Sequence, residues 1–185
     1  MTIDELLESV PAYAKDLKLN YSTLVKQNPE LSEQRLWGTV VASAVATRND
    51  ELTSAAIEEA MQHLSAQALE AAKTAAALMG MNNIYYRFLH LASNEKYRTM
   101  PARLRMNGMR THGIEPLDFE LWALAVSAIN GCGACVDSHE KVLKEKGVSE
   151  ETILAAVRIA SILHALGAVF DAQRASRRIP VPDLA

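Results

Sequence analysis

Cys132 and Cys135 are the only two cysteines in the 185-residue chain, and His139 follows the second by four positions. Positions i, i+3 and i+7 of a helix share one face, so a helix starting near Cys132 lines up two sulfurs and an imidazole. This spacing lets the pair close a disulfide with little rearrangement, and the small Gly133 and Ala134 between them leave the sulfurs open to a bulky partner. Such a pair is a poor staple, because closing so short a loop removes little freedom from the unfolded chain. Reversible redox chemistry suits it better. The thiolate is the reactive form of cysteine, and a free thiol is mostly protonated at neutral pH. A helix N-terminus offers partial positive charge, and His139 can take the proton and stay as imidazolium beside the sulfur. Cys132 lies nearest the helix end. Cys135, one turn before His139, is expected to be the activated thiol.

Two other readings of the cysteines stay open on the residues alone. A CxxC is half of a zinc site, but there is no second CxxC or HxxxH, and His139 brings the set to three ligands where structural zinc takes four. The pair could also be two buried, inert thiols, which leaves the histidine unexplained. Glu120 is the next candidate. It borders the apolar positions Leu117, Leu121 and Leu124, and spacing alone reads it as a boundary residue. The functional alternative is a carboxylate that orients His139 or relays its proton. His63, His90 and His112 fall near helix ends or loops, and His164 reads as a core residue. Met79, Met81, Met100, Met106 and Met109 read as gap-filling side chains, and Trp37 and Trp122 as core.

The elements that must carry these residues are helices. Alanine and leucine dominate, glycine (8) and proline (6) are sparse, and no alternating run reads as a strand. The fold class is therefore all-α. A capping box at Thr2–Glu5 opens a short first helix. A second is expected from Pro11 to about Leu19, a third over Gln34–Thr47, a fourth from Asn49 to about His63, and a long fifth from Ser65 to about Arg87. The stretch 93–115 is broken by Met100-Pro101, Asn107-Gly108 and His112-Gly113. Its Lys96, Arg98, Arg103, Arg105 and Arg110 read as a solvated connector, or as a surface for an acidic carrier protein. Helices are then expected over Pro116–Asn130 and Cys132–Glu145, with Gly147 closing the latter, and a last long one after Ser149. Arg177–Ala185 reads as a loose tail.

One helical unit is used twice. Ala42-Ser-Ala-Val45 matches Val126-Ser-Ala-Ile129, Leu36-Trp37 matches Leu121-Trp122, and Leu64-Ser65 matches Val148-Ser149. The whole of 1–185 is expected as a single domain, with a first repeat over about 31–90, a connector over about 93–115 and a catalytic repeat over about 116–176. In the first copy Arg48, Glu51 and Ala55 stand where the second has Cys132, Cys135 and His139.

Net charge is −3 and the pI near 6.0, so neither nucleic acid nor a membrane surface is an expected partner. Asp4, Glu5 and Glu8 interrupt the first residues, which therefore do not read as a secretory signal. Ile153–Phe170 is apolar but carries Arg158 and His164, and reads as a buried helix rather than a membrane span. A cytoplasmic protein is expected. Without strands there is no Gly-rich dinucleotide loop of the familiar kind, so no bound cofactor is expected, and electrons should arrive from another dithiol.

The run Glu120-Leu-Trp-Ala-Leu-Ala-Val-Ser-Ala-Ile-Asn-Gly-Cys-Gly-Ala-Cys135 followed by Asp137-Ser-His139-Glu140 resembles the AhpD/carboxymuconolactone decarboxylase superfamily, whose signature is a glutamate, a CxxC and a histidine four residues on. Pro11-Ala-Tyr-Ala-Lys-Asp16, Leu36-Trp-Gly38, Met79-Gly-Met-Asn-Asn83 and Leu104-Arg-Met-Asn107 extend the resemblance to its AhpD branch over nearly the whole chain. The resemblance implies an AhpD-like helical fold assembling as a homotrimer. It implies an antioxidant peroxidase that reduces the disulfide of the peroxiredoxin AhpC and, weakly, alkyl hydroperoxides themselves. Electrons would come from the lipoyl group of an acyltransferase of a 2-oxoacid dehydrogenase complex, recharged by dihydrolipoamide dehydrogenase. It makes Cys135 the attacking thiol, passing through a sulfenic acid or a mixed disulfide, Cys132 the resolving thiol, and Glu120 and His139 a proton relay. Some members carry a histidine just before the second cysteine, where this chain has Ala134. A non-redox member of the same fold, a decarboxylase or a binding module, is the alternative, and the intact CxxC argues against it.

Overall fold

The computed structural model describes residues 2–178. Ten α-helices and no strand are found among them: α1 (Ile3–Leu7), α2 (Lys15–Lys26), α3 (Glu33–Thr47), α4 (Asp50–Ala60), α5 (Ala66–Leu91), α6 (Lys96–Thr99), α7 (Gly108–Thr111), α8 (Pro116–Ile129), α9 (Gly133–Glu145) and α10 (Glu150–Ser176). The starts obey local chemistry. Thr2 and Glu5 close the capping box on α1, and the side chains of Ser32, Asn49, Ser65 and Ser149 each accept a backbone N–H in the first turn of the helix that follows.

The second helix differs from its expected bounds. Pro11 opens a 3₁₀ turn, Ala12–Ala14, and α2 then runs on to Lys26, because Tyr21 and Val25 bury against the rest of the fold. The fourth helix stops at Ala60 and the fifth continues to Leu91. The connector holds two single turns, α6 and α7, as its breaks against longer helices allow. The expected tail lies, from residue 179 on, outside the described residues.

The helix lengths run 15, 11 and 26 residues in α3–α5, and 14, 13 and 27 in α8–α10. The packing crosses between the two sets: α3 lies against α8 and α10, and α5 against α8 and α9. At the centre is α8, where Leu121, Trp122, Ala123, Leu124, Ala125 and Val126 are all buried. Its core surface is thus the whole circumference, broader than a stripe through the apolar positions Leu117, Leu121 and Leu124, as befits a helix apolar all round. Gly38 of α3 lets the Trp122 ring lie directly on the helix backbone, and Trp122 Nε1 donates to the Arg35 carbonyl at 3.2 Å. Asp118, buried in the first turn of α8, accepts from Arg35 Nε at 2.6 Å and Gln34 Nε2 at 2.7 Å. The apolar α10 is long enough to cross a membrane, but it packs instead along α2, α3 and α8, with Ile159, Leu163, Leu166 and Phe170 in the core.

Candidate active site

Cys132 owes its position to the end of α8. Gly131 takes the left-handed conformation, with φ at +66°, that a side chain would disfavour. Its N–H donates to the Ala128 carbonyl at 3.1 Å, and the Cys132 N–H donates to the Ser127 carbonyl at 3.1 Å. This pair of bonds, a Schellman motif, closes α8 and turns the chain straight into α9. Cys132 therefore stands at the N-cap of α9 and Cys135 in its first turn, with Cα atoms 5.3 Å apart and the two sulfurs joined in a disulfide. Among the described residues no group of three or more His, Cys, Asp or Glu is gathered as a metal-ligand set.

A second layer braces this turn from α5. Asn83 Nδ2 donates to Ser127 Oγ at 2.9 Å, Asn130 Nδ2 donates to Asn83 Oδ1 at 2.9 Å, and Arg87 Nη1 donates to the Asn130 carbonyl at 2.5 Å. Asn83 and Ser127 are fully buried, so each bond forms where an unpaired polar group would be costly. The last turn of α8, on which the cysteines depend, is thereby fixed to the middle of α5.

His139 lies one turn beyond Cys135 on α9 and is 6% exposed. Its Nδ1 lies 2.6 Å from Oε2 of Glu120, on α8. The carboxylate at the border of the α8 apolar surface thus reaches directly across to the imidazole, with no bridging group. Nε2 lies 3.3 Å from Sδ of Met79, on α5. Three helices therefore fix one imidazole.

Cys135 and His139 share a cavity of about 410 Å³, walled by Met79, Asn82 and Tyr86 of α5 and by Met106 and Met109 at the connector. Cys135 lines it and keeps 6% exposure, whereas Cys132 is wholly buried behind it. A molecule entering meets Cys135 first. The walls are mostly apolar, and Glu120 reaches His139 from the adjoining recess, with 21% of its side chain exposed.

The structure brings together Cys132, Cys135 and His139, which spacing singled out, and Glu120, which spacing alone read as a boundary residue and the family resemblance placed in the site. The residues missed are those from α5 and the connector. Met79, Met106 and Met109 read as gap-fillers but line the cavity, and Asn82 and Asn83 carried no signal beyond their place in the Met79–Asn83 motif. His164 is exposed rather than a core residue, and lines a shallow groove with Arg48 and Arg87. His63 stacks on Trp37 and His112 on Phe119, each with ring centres 4.3 Å apart, away from the cysteines.

Residues 95–177 match the model of the carboxymuconolactone decarboxylase family. The chain is 74% identical to the alkyl hydroperoxide reductase AhpD of Acidobacterium capsulatum over 174 residues, which is 94% of this chain and 95% of that one. It is 64% identical to the protein of the same name from Koribacter versatilis, over 94% of this chain and 89% of that one. For the one from Solibacter usitatus the identity is 61%, over 94% and 97%. With relatives this similar along nearly the whole of both chains, the chain belongs to the AhpD family of alkyl hydroperoxide reductases.

Proposed function

We propose that this protein is a cytoplasmic, antioxidant thiol–disulfide oxidoreductase with lipoyl-dependent peroxidase activity, an alkyl hydroperoxide reductase. It reduces the disulfide of the peroxiredoxin AhpC and also reduces hydroperoxides directly. Its electrons come from a dihydrolipoyl group on the acyltransferase of a 2-oxoacid dehydrogenase complex, recharged by dihydrolipoamide dehydrogenase. It binds no cofactor of its own, works as a homotrimer, and needs neither nucleic acid nor membrane. The observation that carries the reading is the joining of Cys132 and Cys135 beside an imidazole held 2.6 Å from a carboxylate, with Cys135 facing the cavity.

In the reduced protein His139 takes the Cys135 proton, and Glu120 holds the resulting imidazolium. The thiolate attacks the terminal oxygen of a hydroperoxide. An S–O bond forms, the O–O bond breaks, and the alkoxide leaves with the proton from His139 as an alcohol. Cys132 then attacks the Cys135 sulfenic acid, expelling water and forming the disulfide. With oxidised AhpC, Cys135 instead forms a mixed disulfide that Cys132 resolves. The dihydrolipoyl dithiol restores both thiols and becomes a cyclic disulfide. The wholly buried Cys132 suits the resolving role, since it needs to meet only its neighbour.

The test is non-reducing electrophoresis of single-cysteine variants mixed with oxidised AhpC, beside coupled hydroperoxide turnover. Cys132→Ser should accumulate a stable adduct, because the attacking thiol remains and the resolving one is gone. Cys135→Ser should give no adduct and no turnover. Adducts from Cys135→Ser alone would reverse the two roles. Turnover that persists when the lipoyl donor is omitted, with AhpC and the reductase present, would refute the proposed electron source.

A further inference from the structure

Met79 enters the cavity from α5, and its side chain meets the edge of His139 that Glu120 does not hold. Its Sδ lies 3.3 Å from Nε2 of His139 and 3.8 Å from Nδ2 of Asn83, and the side chain is 1% exposed. A thioether has lone pairs and no hydrogen to give, so it only accepts. The Asn83 amide is fixed in sense by its bonds to Ser127 Oγ and from Asn130 Nδ2, so its NH₂ group is what faces the sulfur. The imidazole is constrained in the same way. A bare Nε2 would set one lone pair against another in a buried site. Nδ1 meanwhile shares a proton with a carboxylate oxygen at 2.6 Å. A proton on Nε2, beside the one that Nδ1 shares with Oε2, would give the sulfur a donor to accept from.

We propose that Met79 is a positioning residue of the relay: its thioether is the resting acceptor for the Nε2 hydrogen of His139, keeping a proton stored beside Cys135 for the thiolate that disulfide reduction releases. The proposal rests on the reading of His139 as the proton partner of Cys135. When an external dithiol cleaves the disulfide, two electrons pass to the cysteine sulfurs and the dithiol becomes a disulfide. The released Cys135 thiolate takes the Nε2 proton across the shared cavity, one donor thiol proton goes to Cys132, and the other leaves to solvent. Nε2 is then bare and ready to accept the Cys135 proton again. A leucine at position 79 would fill nearly the same volume, but would offer Nε2 nothing.

The other titratable groups around the ring are Glu120 from α8, Cys135 on α9 itself and Tyr86 of α5 in the same cavity, with Arg110 beside Glu120 in the adjoining recess. Among the described residues only Glu120 and Met79 are within hydrogen-bonding distance of the ring nitrogens.

The test follows Nε2 of His139 by long-range proton–nitrogen NMR on the oxidised, nitrogen-15-labelled protein. The His139→Gln variant assigns the signal. The wild type is expected to carry a proton on Nε2 at neutral pH. In Met79→Leu the midpoint of the Nε2 pH profile should move down by about half a unit, about a threefold change in the proton equilibrium. Met79→Gln, which returns an acceptor oxygen on a chain of similar length, should move it back. In reduced Met79→Leu, alkylation of Cys135 by iodoacetamide at neutral pH should fall by a similar factor, with the high-pH plateau unchanged. A bare Nε2 in the oxidised wild type overturns the proposal, whether or not the variants fold. So does a Met79→Leu profile that superimposes on the wild type, or a Met79→Gln profile that matches Met79→Leu. No hydroperoxide or lipoyl donor enters these measurements, so a wild type inactive in coupled turnover would refute the proposed function without touching this result.

Discussion

His139 is held at both ends, by a carboxylate on Nδ1 and a thioether on Nε2, and this two-sided grip makes its role in thiol activation measurable. Glu120→Gln replaces a charge-assisted bond with a neutral one and should leave the imidazolium less favoured. His139→Ala removes the base. Each is expected to slow Cys135 alkylation near neutral pH by about 10²-fold, the low end of general-base help. Raising the pH should recover the rate in His139→Ala, because solvent then takes the proton. If the pH profiles of both variants superimpose on the wild type, neither residue tunes this thiol. The grouping of Cys132, Cys135 and His139 was legible in the sequence because they lie on one face of one helix, where spacing alone decides who meets whom. Met79, Asn82 and Asn83 were not. They reach the site from a helix some forty or more residues earlier in the chain, and only the crossing of α5 over α8 and α9 brings them there. Glu120 stood between these cases: its helix was readable, but the packing that aims it at His139 was not.

Between elements, α3 lies close on α8 at Gly38. A Cβ added at Gly38 would lie 2.0 Å from Cε2 and Cζ2 of Trp122. The ring cannot swing away, since it is fully buried and its Nε1 is bonded to α3. Gly38→Ala should therefore destabilise the fold by about 2–3 kcal/mol, as overpacking does, seen as a lower urea midpoint. An unchanged midpoint would mean that the two helices part more readily than this packing implies. The N-terminal α1 is held differently. The Ile3 N–H donates to Glu59 Oε2 of α4 at 2.9 Å, and burial, with the nearby Asp4 charge, raises the Glu59 carboxyl above its ordinary value against the lowering effect of that hydrogen bond and of His63 and Lys26. A carboxyl raised in the folded state binds its proton more tightly there than in the unfolded chain. Its contribution to stability is therefore full below the unfolded value and is lost as pH rises through the folded one. Glu59→Gln should thus gain in thermal midpoint relative to wild type as pH goes from about 4 to 7. A gap that stays constant over that range would show that the charge at this position is not disfavoured. The helix starts were readable because serine, threonine and asparagine caps act within one turn. The end of α2 was not, since Asn20, Ser22 and Thr23 are weak helix formers and only tertiary burial of Tyr21 and Val25 carries the helix on.

At the scale of the whole molecule, the long α5 does more than wall the cavity. Its last turns extend past the core, and Ile84, Phe88 and Leu91, spaced to share one face, are 51%, 51% and 72% exposed. Phe88 meets Tyr97 of α6 with ring centres 5.2 Å apart, so the apolar surface continues onto the connector, where Met100 is also exposed. Single exposed apolar side chains are ordinary, but a contiguous patch on a helix face is what an interface between subunits needs. The proposed homotrimer supplies the occupant: a second copy of the same chain. Sedimentation velocity of the wild type is expected to give a trimer in both oxidised and reduced states, because the disulfide lies inside one chain and bridges nothing across the patch. Phe88→Glu would place a carboxylate where the partner's apolar surface should lie, and is expected to shift the protein towards monomer with its helical circular dichroism unchanged. A wild type that sediments as a monomer in both states would sink the trimer itself. A trimer that survives Phe88→Glu would keep the assembly and move its interface elsewhere on the surface. The same monomeric variant would also show whether the site is complete in one chain. Every contact described around Cys135 and His139 comes from α5, α8, α9 and the connector of a single subunit. Cys135 alkylation in the Phe88→Glu monomer should therefore keep its wild-type pH profile, and a profile that changed on dissociation would mean that a neighbouring subunit acts on the thiol.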